Sequence, residues 1–274
     1  MKIGFTTLGC PLWDMDTIIR RAVEYGYDGV DFRGYRKTLD LYRCREFSSG
    51  IKETIRKFAD AGLETPCFST SAHVFTQEPA ERSAALDEVR RYAEICALFN
   101  GKYLRVFVGR LEGTPRPLAL ETAGEALREM AAAAGEYGIL LLVETHDDWT
   151  AGADLAPLIL AADPPGAGVV WDTHNTVRLC GEPPAETWRA LGARVRYTHW
   201  KDSIPCEDSP EGYRLCLPGE GDIPFRAIFE CLREGGYDGY LAFEWEKRWY
   251  PEIAEPEIAF PRFAQVMRDM IKGE

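Results

Sequence analysis

Residues able to bind a metal or move a proton recur at the ends of short apolar runs. Leu140-Leu-Leu-Val leads into Glu144-Thr-His146, Val169-Val-Trp into Asp172-Thr-His174, Val195-Arg-Tyr-Thr into His199-Trp-Lys201, and Tyr240-Leu-Ala-Phe into Glu244-Trp-Glu246. Carboxylate and imidazole are ligands for divalent cations, and with ammonium they are the side chains that carry protons in general acid–base catalysis. A charged group directly after apolar residues must be paired or form a site, because burying it alone is costly. The chain has four histidines, and the fourth, His73, lies just past the stretch read as a strand over Leu63 to Thr70. A lone histidine is commonly a satisfied structural side chain, but four at equivalent places form a pattern.

Runs this short, with no polar face of helical period, fit strands covered on both sides, as in a parallel sheet. Side chains two apart on a strand share a face, which groups Glu144 with His146, Asp172 with His174, His199 with Lys201, and Glu244 with Glu246. Three carboxylates and an imidazole from these four strands would surround one divalent cation. Such an oxygen-rich set suits Mn²⁺ first and Mg²⁺ next, whereas structural zinc prefers thiolate and imidazole; Co²⁺ or a catalytic Zn²⁺ also fits.

The rest of the chain alternates helix, glycine and strand. Lys2 to Thr7 reads as the first strand, and Asp14 or Asp16 then caps a helix with Ile18, Ile19, Ala22 and Val23 inward, ending at Gly26. Tyr27 to Arg33 is the second strand. Ser48 or Ser49 opens a helix bearing Ile51, Ile55, Phe58 and Ala59, which ends at Gly62 before the third strand. A long helix after Pro79 precedes a strand at Lys102 to Val108, which contains Arg105, and an Ala-rich helix stops at Tyr137-Gly138. Further strands follow near Gly168 to His174, Arg194 to Lys201 and Tyr240 to Glu246, with helices from about Leu155, around Trp188, over Phe225 to Gly235 and over Phe260 to Ile271. Ser203 to Pro224 reads as a long loop. Counting gives eight strand–helix units, the pattern of a (β/α)8 TIM barrel, a fold of about 250 residues. An internal echo, Glu24-Tyr-Gly-Tyr-Asp-Gly-Val-Asp-Phe against Glu234-Gly-Gly-Tyr-Asp-Gly-Tyr-Leu-Ala-Phe, supports the repeat. A doubly wound open sheet is weaker, because no Gly-rich phosphate loop follows the first strand.

Composition sets the limits. With 274 residues, 46% hydrophobic, the chain can bury a large core, and one domain over 1–274 is expected. A net charge of -12 argues against nucleic acid and anionic membranes as partners. No leader pattern or 18-residue apolar span is read, so a cytoplasmic protein is expected. The eight cysteines lack CxxC spacing and read as free thiols, with Cys206 and Cys216 the pair to check.

Over nearly its whole length the sequence resembles the xylose isomerase-like TIM barrels of the sugar-phosphate isomerase/epimerase superfamily. The resemblance rests on Gly29-Val-Asp-Phe, Asp60-Ala-Gly-Leu, Glu144-Thr-His, Trp171-Asp-Thr-His, His199-Trp-Lys-Asp, Pro218-Gly-Glu-Gly-Asp-Ile and Phe243-Glu-Trp-Glu. It implies four metal ligands, Glu144, Asp172, His199 and Glu244, with Glu144 and Glu244 exchanging a proton with substrate on opposite sides. His174 and Lys201 would bind or protonate substrate oxygen, with His146 as a substitute. From their own place on the other half of the rim, Arg33, His73 and Arg105 read as clamps for substrate hydroxyl or carboxylate groups, with Glu246 also at the substrate, although a barrel-core ion pair such as Asp31 with Arg33 is an equal reading. The implied activity is isomerisation or epimerisation of a ketose or keto-polyol through an enediolate. A lyase acting on an inosose, a dehydroshikimate or a 3-keto-glycoside is the alternative, and a barrel without catalysis the third reading. Ketose 3-epimerases of this superfamily carry the histidine after the sixth strand one place later than His174. The histidine-rich zinc cluster and basic groove of the apurinic endonucleases of this fold are absent from the pattern. Trp13, Trp149, Trp245 and Trp249 are expected at the rim, some stacking on sugar, and homo-oligomers are expected from the superfamily.

Overall fold

A computed structural model describes residues 1–163 and 166–273. Eight parallel strands form the inner wall: β1 (Lys2–Thr6), β2 (Gly29–Asp31), β3 (Cys67–His73), β4 (Tyr103–Phe107), β5 (Leu140–Glu144), β6 (Gly168–Asp172), β7 (Val195–Trp200) and β10 (Tyr240–Phe243). They run in the order β2-β1-β10-β7-β6-β5-β4-β3. The ring closes between β2 and β3 through the parallel bridges Gly29–Glu64 and Phe32–Phe68. This is the (β/α)8 TIM barrel read from the strand–helix alternation. The two copies of the internal echo lead into β2 and β10, which flank β1 on either side.

Nine α-helices lie among the described residues: α1 (Met15–Glu24), α2 (Ile51–Asp60), α3 (Pro79–Leu98), α4 (Arg116–Gly135), α5 (Gly152–Ala161), α6 (Thr173–Arg178), α7 (Pro184–Leu191), α8 (Phe225–Glu234) and α9 (Pro256–Lys272). Gly26, Gly62 and Gly138, read as helix stops, each adopt a positive φ that a side chain would strain. Among the described residues no helix is long and apolar enough to cross a membrane.

Several local expectations are corrected. Asp14, not Asp16, caps α1 by accepting from the Thr17 amide at 2.9 Å. Val23 is 52% exposed, because the buried stripe of α1 is Met15, Ile18 and Ala22. Neither Ser48 nor Ser49 caps α2; Gly50 holds that place, and Ser48 donates to the Cys44 carbonyl. On α2 the buried residues are Thr54 and Phe58, with Ala59 exposed. The segment read as the loop Ser203 to Pro224 holds most of an antiparallel hairpin, β8 (Asp202–Pro205) with β9 (Tyr213–Cys216). β6 ends at Asp172, so His174 belongs to α6, and β10 ends at Phe243, before Glu244. All eight cysteines are free, Cys206 and Cys216 included.

The inside of the barrel is built in two layers by strand periodicity. Cys67, Leu142, Val170, Tyr197, Tyr240 and Ala242 form an apolar cluster separate from the main core between strands and helices. Two residues further along these strands, on the same inward face, come Ser69, Glu144, Asp172, His199 and Glu244, all buried. Gly29 and Tyr103 are followed in the same way by the buried Asp31 and Arg105. The lower layer packs the barrel, and the upper one gathers the ionisable side chains at the C-terminal ends of the strands, where such barrels place their sites.

Candidate active site

Glu144, Asp172, His199 and Glu244 offer one ligand atom each, and these atoms all lie within 4.8 Å of one another. Opposite ligands of a cation with oxygen or nitrogen bonds of about 2.1 Å stand about 4.2 Å apart, so modest contraction would close the set around one ion. His199 Nδ1 faces the cluster, 2.7 Å from Glu144 Oε1 and 3.3 Å from Glu244 Oε1. Its Nε2 lies 3.1 Å from Asp31 Oδ2, and Asp31 in turn accepts from the Ser69 hydroxyl at 3.0 Å. An imidazole held by a carboxylate at one nitrogen, with the other turned to the site, is the usual arrangement of a metal-binding histidine. Glu144 Oε2 is buried with no hydrogen-bond partner. A carboxylate oxygen that accepts no hydrogen bond and meets only the Arg105 guanidinium at 3.3 Å, inside a cluster of three carboxylates and an imidazole, leaves lone pairs that fit a divalent cation.

The charges inside this cluster are mutually dependent. Burial pushes the Glu144 and Glu244 carboxyls up, but Arg105 and His199 for Glu144, and Lys201 and His199 for Glu244, outweigh it and hold both below the usual range. Burial opposes charge on His199 as well, yet Glu244, Glu144 and Asp31 raise it well above an ordinary imidazole. Asp172 is pushed up to about 7 by burial, with Lys201 opposing and Glu244 and Glu144 adding to the rise.

Lys201 follows β7 directly and is 2% exposed. Its Nζ donates to Asp172 Oδ2 and, at 2.6 Å, to Glu244 Oε2, and it lies 3.1 Å from Glu246 Oε1. Despite burial it is held well above the ordinary lysine range by Asp172, Glu244 and Glu246. Burial raises Glu246, against the pull of Lys201.

His174 stands beside the cluster but outside the set of four. Asp172 caps α6 by accepting from the amides of His174 and Asn175, which turns the chain away from the strand direction. The His174 ring lies 2.9 Å from Ser203 Oγ at Nε2 and 3.4 Å from Asn175 Oδ1 at Nδ1, with Tyr213 of the hairpin edge-on at 4.8 Å. Burial and then Lys201 push it down to about 3, so the imidazole is neutral near pH 7.

The remaining residues gather on the opposite side. Arg105 Nε lies 3.3 Å from Glu144 Oε2, and its Nη1 donates to the Thr70 carbonyl at 3.0 Å. Arg33 is buried, and the Asp31–Arg33 pair is not formed, because Asp31 is turned to His199 and Ser69. His146 is half-buried against Phe107, with Nδ1 3.2 Å from Asp147 Oδ2, and His73 is exposed at the rim. Trp13, Trp149 and Trp245 are buried packing residues, and only Trp249, 49% exposed, is free to meet a ligand.

Three supporting residues escaped the sequence reading. Asp31 is read from the sequence only as one alternative partner of Arg33, although its place at an inward strand end is the available signal. Ser203 contacts His174 and accepts from Arg178 Nε at 3.0 Å, a link with no local sequence signal. Asp202 accepts from the amides of Gly219 at 2.9 Å and Gly221 at 3.0 Å, which ties the Pro218 to Ile223 segment to the end of β7. A side chain at Gly221 would strike the Asp202 carboxylate.

The family model described as xylose isomerase-like TIM barrel matches residues 19–268. The chain belongs to that family. Inosose dehydratase of Lacticaseibacillus casei is 25% identical over 142 residues, 46% of this chain and 47% of that protein, so the match spans about half of each. Fructoselysine 3-epimerase of Escherichia coli O157:H7 is 24% identical over 264 residues, 89% of this chain and 90% of that one. Among solved structures, the IOLI protein with a bound zinc atom superposes with a TM-score of 0.79 at 17% identity, covering 97% of each chain, a likeness of fold. The related proteins named as enzymes are an epimerase and a dehydratase, which places the chain among sugar epimerase and dehydratase relatives without selecting one reaction.

Proposed function

We propose that residues 1–274 form one catalytic domain, a divalent-metal-dependent isomerase or epimerase of a ketose or keto-polyol that works through an enediolate. The observation that carries this reading is the convergence of Glu144, Asp172, His199 and Glu244 to within 4.8 Å at the mouth of the barrel. Mn²⁺ is the metal proposed from the oxygen-rich ligand set, although a relative of the same fold holds zinc. Glu144, Asp172, His199 and Glu244 would hold the cation, which would supply Lewis-acid polarisation of a carbonyl and its neighbouring hydroxyl and so acidify the adjacent C–H.

The protein's own groups then move the proton. Glu144 and Glu244 are held ionised and come from strands on different sides of His199, so one can take the carbon-bound proton and the other return one to the opposite face. Glu144 Oε2, which faces Arg105 Nε at 3.3 Å but accepts no hydrogen bond, is the oxygen assigned the role of base. Lys201, protonated among Asp172, Glu244 and Glu246, supplies a proton or hydrogen bond to the developing oxyanion. Asp31 fixes the His199 ring. His174, engaged by Ser203 and Asn175, forms the neutral wall of the site.

The match to inosose dehydratase favours a second reading, in which the same enolate expels a β-leaving group. Proton NMR of the Mn²⁺-loaded protein in D₂O with ketoses, inososes and keto-glycosides separates the readings. Deuterium at carbon in an isomeric product supports the isomerase, and an alkene or released aglycone selects the lyase. Exchange with none of them, under any divalent metal, removes both and leaves a binding barrel.

A further inference from the structure

Phe107, the last residue of β4, is the centre of the basic side of the mouth. The guanidinium carbon of Arg105 lies 3.9 Å from its ring centroid and that of Arg33 5.9 Å. The His146 ring lies at 4.5 Å and the His73 ring stacks at 5.5 Å. Four groups able to carry positive charge therefore share one phenyl ring, and His73 also lines a cavity of about 540 Å³ with Ser71, Glu88 and Arg91.

Arg33 lacks the counter-ion that its burial demands. It is 6% exposed, and its Nη1 has no hydrogen-bond partner. Glu88 and Glu144, whose charges it feels, are committed elsewhere, Glu88 to the Ser71 amide and Glu144 to His199 and Arg105. Asp31, two residues before it, is held by His199 and Ser69. A desolvated guanidinium beside a second one is unfavourable twice over, through lost hydration and through repulsion. It does not escape by releasing its proton. A hydroxyl group would supply an acceptor but no charge, whereas a carboxylate supplies both in the planar form that guanidinium groups match.

The geometry points to an anionic substrate: Arg33 and Arg105 bind a carboxylate of the molecule whose carbonyl carbon faces Glu144 and Glu244, making the substrate a keto sugar acid rather than a neutral ketose. This rests on the isomerase or lyase reading for the reacting end, while the carboxylate end is tested by binding alone. Isothermal titration of the Mn²⁺-loaded protein would compare D-fructuronate with D-fructose, D-glucuronate with D-glucose and D-gluconate with D-glucitol, and include D-fructose 6-phosphate. The expected result is at least tenfold tighter binding of a carboxylate over its neutral partner. In Arg33→Met that preference falls at least tenfold, and Arg33→Lys restores part of it. Equal affinities within every pair, or tighter binding of the phosphate, overturn the inference. So does a preference unchanged in Arg33→Met, which would place the carboxylate on the cation instead. Circular dichroism of both variants separates lost binding from lost fold, and if Arg33→Met is unfolded the wild-type and Arg33→Lys comparisons decide alone. The D₂O exchange assay keeps the two readings apart. Exchange with neutral ketoses at the same kcat/KM as with acids sinks this inference but keeps the isomerase, whereas Arg33-dependent carboxylate binding without exchange does the reverse.

Discussion

The two sides of the barrel mouth solve the same problem of buried charge in opposite ways. On the side of β5, β6, β7 and β10, every charged group has a partner of opposite sign: Lys201 among Asp172, Glu244 and Glu246, and His199 between Asp31 and Glu144. On the side of β2 and β4, Arg33 and Arg105 lie near one phenyl ring and Arg33 has no paired carboxylate. A closed network can stabilise itself without a ligand, and an open one is completed only by something that binds. On the proposed function the acidic side holds a cation and moves protons, and on the further inference the basic side receives an anion.

The largest expected effect lies on the acidic side. Glu144→Gln keeps the shape of the carboxyl but not its basicity, and should lower turnover by about 10²–10⁴-fold, the usual contribution of a general base, with an unchanged circular dichroism spectrum. Substantial residual activity would remove Glu144 from the proton path.

Next comes Lys201→Met in chelator-treated protein. Leaving Asp172, Glu244 and Glu246 without their ammonium should cost about 3–5 kcal/mol, the range for a buried ion pair broken on one side, read from urea unfolding. A loss below about 1 kcal/mol would mean that the network relaxes by taking up protons, and the contrast between the two sides would weaken.

Adding Mn²⁺ to the metal-free wild type should raise the unfolding temperature progressively. The gain approaches about 2.7 kcal/mol at a metal concentration of 100 times Kd. A melting curve indifferent to every divalent metal would contradict the ligand assignment of Glu144, Asp172, His199 and Glu244.

A yardstick away from the mouth calibrates the smallest effect. Asp14→Ala removes the α1 cap and should cost about 1 kcal/mol in thermal or urea unfolding. Arg33→Met should cost no more than that, and can stabilise, because an unpaired buried charge is replaced by an apolar chain that keeps contact with Phe107. If Arg33→Met destabilises more than Asp14→Ala, Arg33 has a structural partner and the basic side is not open.

The sequence by itself determined the barrel and the residues at its mouth. Strand ends announce themselves locally: an inward face that is apolar at Leu142, Val170, Tyr197 and Ala242 and charged or imidazole at Glu144, Asp172, His199 and Glu244 is a period-two pattern written in neighbouring residues. Helix stops at Gly26, Gly62 and Gly138 were legible for the same reason, since one backbone conformation selects one residue type. Tertiary structure alone decided who pairs with whom. Asp31 and Arg33 are two positions apart and looked like partners, yet closure of the barrel brings His199, 168 residues away, to the Asp31 carboxylate and strands Arg33 beside Phe107. The hairpin that sets Tyr213 against His174, and the burial of Trp13, Trp149 and Trp245, were hidden likewise. The physical reason is range: turn and face preferences act over a few bonds, whereas pairing of buried charges depends on which strands meet across the barrel, and that is fixed only when the ring closes.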